Sequence, residues 1–123
     1  MKLPSMEFTF ELNKKGSSSG KLYEGSFTYK RLTIGSQGRA GVLKAKLNGD
    51  LTAIDPEIDR LHEMLSWLRY GLIDYPDWWR ECSFGENLYD LNILEELYLR
   101  VVDFEKEWTK KIDVQSNKKD SDT

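Results

Sequence analysis

The sequence predicts an α+β domain: an N-terminal antiparallel β-hairpin packed on about three α-helices, with a disordered C-terminal tail. Three observations carry this. Apolar residues alternate with polar ones up to Lys30 and recur at helical spacing after Thr33. A Gly- and Ser-rich stretch separates the two alternating runs. Residues 112–123 are polar and charged with no period. A chain of 123 residues suits a single domain, here residues 1–111, with the tail at 112–123.

The hairpin covers about 6–30. Phe8, Phe10 and Leu12 alternate with Thr9 and Glu11, the period of a half-buried strand. Asn13 to Gly20 holds no side chain suited to a core, so it reads as a flexible loop. In the second strand Tyr23, Phe27 and Tyr29 share one face, and Gly25 marks a possible bulge. Two strands alone are marginal in water, so helices or another chain must cover the aromatic face.

Three helices follow, over about 33–48, 55–73 and 90–110. Thr33 is a candidate N-cap for the first and Asn48-Gly49 its stop. Gly35, Gly38 and Gly41 lie inside that helix, each costing about 1 kcal/mol relative to Ala. Gly41 invites close approach of another backbone. The second opens on Asp55-Pro56-Glu57, an N-cap, a first-turn proline and a well-placed acid. Its core stripe is Ile58, Leu61, Met64, Leu65, Leu68 and Leu72. Tyr75 to Arg80 reads as a compact aromatic turn, because the residue before Pro76 avoids the α region. In the last helix Asn92 to Glu95 matches a capping box, with a start at Asp90 equally open. Its stripe is Leu94, Leu97, Val101, Phe104 and Trp108.

Composition narrows the task. No apolar run approaches the ~20 residues of a membrane span, and the start has no secretory h-region. The single Cys82 excludes an internal disulfide and fits a reducing compartment; the single His62 excludes a His-rich metal site. His62 lies beside an apolar helical stripe with no nucleophile near it in sequence. Cys82 has no neighbouring base to lower its pKa. The helix glycines lack the Lys-Ser/Thr of a phosphate loop. The expectation is a protein that is not an enzyme, with no catalytic residue, no metal and no cofactor.

What remains is surface chemistry. Residues 1–49 carry a formal +6 and residues 50–123 carry −9. Such a split favours self-association or mutual attraction of the two halves. Nucleic acid is disfavoured, since the basic half lacks a dense Lys/Arg stripe. Two adjacent tryptophans, Trp78 and Trp79, cannot both enter one core unless the chain turns between them. One closing the core and the other half exposed is as good a reading as a contact anchor, where Trp is enriched. Leu91, Tyr98 and Leu99 stand off the main stripe of the last helix. The candidate partner-binding set is therefore Tyr75, Trp78, Trp79, Leu91, Tyr98 and Leu99, with Arg31, Arg39, Lys44 and Lys46 from the basic half.

The order of elements is similar to a known family. Tyr29-Lys30-Arg31-Leu32-Thr33 leads into a basic, small-residue helix containing Gly38-Arg39-Ala40-Gly41-Val42-Leu43 and closing at Leu47-Asn48-Gly49. A Leu-, Met- and Trp-containing helix, then Tyr75-Pro76-Asp77-Trp78-Trp79, then a helix ending Phe104-Glu105-Lys106-Glu107-Trp108 complete the pattern. Over roughly residues 27–108 this resembles the small tail assembly chaperones of long-tailed bacteriophages. The resemblance implies a chaperone in the host cell cytoplasm that coats the tape measure protein and recruits tail tube subunits. A tail or connector subunit retained in the virion, and a small regulatory binding protein, are the other readings.

Overall fold

A computed structural model describes residues 3–49 and 53–121. In order, the elements are β1 (Glu7–Lys15), β2 (Leu22–Lys30), α1 (Ile34–Asn48), α2 (Pro56–Gly71), β3 (Leu72–Asp74), α3 (Asp77–Glu81) and α4 (Leu91–Ser121). The architecture is α+β. The sheet is antiparallel with order β1-β2-β3, so the hairpin gains a short third strand.

The hairpin register puts large side chains opposite one another on one face: Phe8 against Tyr29, Phe10 against Phe27. The alternate pairs, Glu7 with Lys30 and Thr9 with Thr28, are polar and face away. A sheet this one-sided must bury its aromatic face, and α2 and α4 supply the cover. The core is Phe10, Leu12, Tyr23, Phe27 and Tyr29 against Met64, Leu65, Leu68, Ile93, Leu94, Leu97 and Val101, closed by Trp79. Phe27 stacks on Phe10 at 5.6 Å between centroids and meets Trp79 edge-on at 6.1 Å.

The caps behave as their chemistry requires. Thr33 Oγ1 accepts from the Ser36 N–H at 3.1 Å, and Asp55 Oδ1 from the Glu57 N–H at 2.8 Å. The Gly49 N–H closes α1 by donating to the Ala45 and Lys46 carbonyls. His62 Nδ1 lies 2.6 Å from Asn48 Oδ1, tying the end of α1 to α2.

Several expectations need correction. The second helix stops at Gly71, not 73: Leu72 pairs with Tyr29 and Asp74 with Thr28, so β2 takes up the chain as a strand. Ile58, in the first turn of α2, is not in the core but exposed. The irregularity in β2 falls between Thr28 and Tyr29 in its pairing with β3, and the β1–β2 register runs unbroken through Gly25. Gly25 instead makes room for Pro76, whose Cγ would lie 2.6 Å from a Cβ there. The aromatic turn contains a short helix, α3. In α4 the backbone stays helical to Ser121, through the part of the tail at 112–121; residues 122–123 lie outside the described residues. No Gly or Pro interrupts the sequence after Trp108, so nothing stops the helix, although Val114 is exposed and touches no core.

The loop expected to be flexible is tied down. Asp90, fully buried, accepts four hydrogen bonds from it and its flank. The Ser18 and Ser19 N–H groups donate to Oδ1 at 2.8 Å each. The Ser19 hydroxyl and the Tyr23 phenol donate to Oδ2 at 2.6 and 2.9 Å. Asn92 adds three more contacts, accepting from the Ser17 N–H and hydroxyl and donating to the Lys15 carbonyl. Its side chain is thereby spent on the hairpin and not on the expected capping box. Gly16 is required here because a Cβ would overlap the Asp90 carboxylate.

Candidate partner-binding surface

The ten candidate residues fall into four places. Tyr75, Trp78 and Trp79 sit beneath the hairpin. Trp79 is fully buried, while Trp78 is half-buried and donates its indole N–H to the Glu24 carbonyl at 2.8 Å. Tyr75 meets Phe84 edge-on at 5.7 Å. The chain does turn between the two tryptophans, whose planes stand at 86°. The Trp79 indole N–H has no acceptor among the described residues.

Arg31 is engaged within the chain. Its Nε donates to Glu105 Oε2 at 2.8 Å, and its guanidinium lies 3.8 Å from the centroid of Trp108. Glu105 also accepts from the Tyr29 hydroxyl at 2.7 Å, and that hydroxyl accepts from the Trp67 indole at 3.0 Å. Burial, reinforced by the Glu105 carboxylate, pushes the Tyr29 phenol far above its ordinary pKa. Trp108 in turn donates to the Ser5 carbonyl. This clasp joins the chain before β1, the end of β2 and the middle of α4.

Leu91, Tyr98 and Leu99 share the outward side of α4, with Leu91 and Leu99 each about half exposed. Between α4 and α2 runs a groove of about 540 Å3 lined by Trp67, Tyr98, Val101, Val102 and Thr109, with Glu63, Glu105, Lys106 and Lys110 on its rim. A second hollow of about 400 Å3 continues it past Tyr98 and Val102 to Leu99, Arg60, Asn92, Glu95 and Glu96. Burial raises the Tyr98 phenol above its ordinary pKa, as expected of a ring laid along an apolar floor. The third hollow shares Glu63 and Trp67 with the first and reaches Ala40, Gly41 and Lys44 of α1. Lys44 is paired there with Asp59 at 3.3 Å and Glu63 at 3.6 Å. Arg39 and Lys46 point outward from α1.

The structure therefore brings Tyr98, Leu99 and Lys44 to one continuous surface and sets the Trp pair and Arg31 elsewhere. Sequence reading missed Trp67, Val102 and Thr109. Trp67 carries the available signal, an aromatic residue on α2 outside the 3, 4, 7 stripe, where a ring is half-covered. Val102 and Thr109 stand at helical spacing from Tyr98, on the flank already marked as apolar.

Among the described residues no group of three His, Cys, Asp or Glu side chains is placed to hold a metal ion. Burial raises the Cys82 thiol above its ordinary pKa, and its Sγ donates to the Trp79 carbonyl at 3.2 Å. No described helix is long and apolar enough to cross a membrane. The arrangement offers an elongated apolar floor between two helices, edged by charges of both signs, which suits an amphipathic helix. Comparison with protein-family models, curated proteins and solved structures gave no match.

Proposed function

We propose that this chain is a non-enzymatic tail assembly chaperone of the kind its sequence resembles, acting in the host cell cytoplasm. It binds helical stretches of the tape measure protein and recruits tail tube subunits. The observation that carries the reading is the α2–α4 groove, whose floor of Trp67, Tyr98 and Val102 is apolar and whose rim carries charges of both signs. A long, largely helical client presents apolar residues at i, i+3, i+4 and i+7, and a groove of this form takes such a stripe. The resemblance over residues 27–108 names the client.

Co-expression with the tape measure protein, followed by pull-down, tests the reading. A stable complex is expected, weakened at least about tenfold by Val102→Arg with the melting temperature held. The reading fails if no complex forms, if Val102→Arg binds as well as the parent, or if finished tails contain the chain in stoichiometric amount.

A further inference from the structure

The ion pairs of this chain are not scattered. Among the described residues two are local steps on one helix, Arg80 with Asp77 and Lys110 with Glu107, and both are well exposed. The others join different parts of the fold, and each has a member lining the α2–α4 groove or one of the hollows beside it. Arg31, just past β2, holds Glu105 at 2.8 Å. Lys44 of α1 holds Asp59 at 3.3 Å and Glu63 at 3.6 Å, and Lys14 of β1 holds Glu96 at 3.4 Å. All three bases come from the basic residues 1–49, and all four carboxylates from the acidic remainder. The charge split of the sequence meets along this one surface.

The apolar floor gives the reason. A helix seated on Trp67, Tyr98 and Val102 drives water from the rim, where Glu63 and Glu105 stand. A bare carboxylate there would give up its hydration with nothing to replace it. One already paired and hydrogen-bonded has less to lose. Glu105 is the most complete case. It accepts from Arg31 Nε and from the Tyr29 hydroxyl at 2.7 Å, and that hydroxyl accepts from the Trp67 indole on the groove floor. The side chain of Glu105 keeps 24% of its surface, against 52% for Glu63. Arg31 does not line the groove; it stacks on Trp108 and reaches the groove only through Glu105.

We propose that Arg31 and Lys44 are positioning residues of the groove, setting its preference for an apolar helix by neutralising Glu105 and Glu63. This rests on the reading that the groove takes an amphipathic helix and deepens it. The bases of the N-terminal half make the groove fit for an apolar stripe that two unpaired carboxylates would reject.

The experiment is fluorescence polarisation of a labelled synthetic peptide of about 20 residues, with Leu at i, i+3, i+4 and i+7 and only Ala and Gln elsewhere. The peptide carries no charge, so long-range attraction to a base cannot enter. Each variant is titrated well below its own melting temperature. The parent is expected to bind and Val102→Arg to fail. Arg31→Met weakens binding at least about fivefold, and Lys44→Met less, since Glu63 stays more hydrated. Arg31→Met with Glu105→Gln, and Lys44→Met with Glu63→Gln, return to within about twofold of the parent, because no carboxylate is left to strip of water. Bases that only brace the fold would leave each double variant as weak as its single. No binding by the parent, or equal binding by Val102→Arg, overturns the groove reading and this inference with it. Binding that Arg31→Met leaves unchanged, or a double variant no better than its single, overturns this inference alone.

Discussion

Two glycine-bearing stretches of this chain lead opposite lives. The Gly16–Gly20 loop has the composition of a linker, yet Asp90 and Asn92 hold it by its backbone. Helix α1 has the caps of a well-built element, yet it buries one residue and leaves Gly38 and Gly41 in open space. Composition alone ranks them the wrong way round. What orders a glycine-rich segment is whether a distant residue supplies partners for its N–H groups. What leaves the outer side of α1 uncovered is that only the side bearing Ala40, Leu43 and Leu47 meets the rest of the chain.

Substitutions can break that contrast. The largest effect is expected at Trp79, which closes the core beneath the hairpin: Trp79→Ala should cost about 3–5 kcal/mol by chemical denaturation. Trp78→Ala, losing a half-exposed ring and one bond to Glu24, should cost about 1–2 kcal/mol. Equal effects would deny that the chain turns one ring in and one out.

Next comes the tie itself. Asp90→Ala removes the acceptor of four donors and should lower the melting temperature by roughly 10 °C, with new protease cleavage between Gly16 and Gly20. Asp90→Asn should do less harm, since one oxygen still serves both N–H groups and the hydroxyls can turn to accept. A loop equally resistant to protease in Asp90→Ala would show that the hairpin orders itself.

The same tie gives a pH signature. Bonds from the Ser19 hydroxyl and N–H, with those of Tyr23 and Ser18, hold the Asp90 carboxyl down at about 2, against 3.8 in the ordinary case. Its folded pKa is depressed, so the stability it brings is complete above the ordinary value and is lost as pH falls from about 4 towards 2. Acid titration of stability in Asp90→Asn should be flatter across that window than in the parent. Identical profiles would place the acid sensitivity elsewhere.

The smallest effect lies in α1 and has the opposite sign. Gly41→Ala should stabilise the isolated chain by about 0.5–1 kcal/mol, because a methyl group there meets no neighbour among the described residues. Destabilisation would mean that α1 is already packed closely within one chain.

How much of this was written in the sequence follows from how local each cause is. Alternation placed Phe8, Phe10, Leu12, Tyr23, Phe27 and Tyr29 on one buried face, and 3.6-residue spacing placed Met64, Leu65, Leu68, Leu97 and Val101 opposite them. These signals repeat within a few residues, as do the caps at Thr33 and Asp55. The third strand was hidden because Leu72-Ile73-Asp74 is too short for a period of its own and owes its form to Tyr29 and Thr28. Asp90 looked like any acid at a helix start; its role depends on Ser18, Ser19 and Tyr23, some seventy residues away. Of the candidate surface, Tyr98 and Leu99 were legible as off-stripe apolar residues. Trp67 carried only its place off the α2 stripe, because the groove it lines exists only once α2 and α4 lie side by side.

The clasp at Trp108 has a mechanical consequence. Helix α4 is 31 residues long, about 46 Å at 1.5 Å per residue, and the stacking of Arg31 on Trp108 falls a little past its midpoint. Ile93 through Val101 anchor one arm in the core; the arm beyond Trp108 adds no buried residue among those described. That makes α4 a lever with its fulcrum at the clasp. A sideways load on the outer arm would bear on Arg31 and the Ser5 carbonyl, at the open end of the hairpin where β1 begins and β2 finishes. Force arriving there peels the strands apart one pair at a time, starting from Glu7 and Lys30, where shear along the strands would have to break every pair at once.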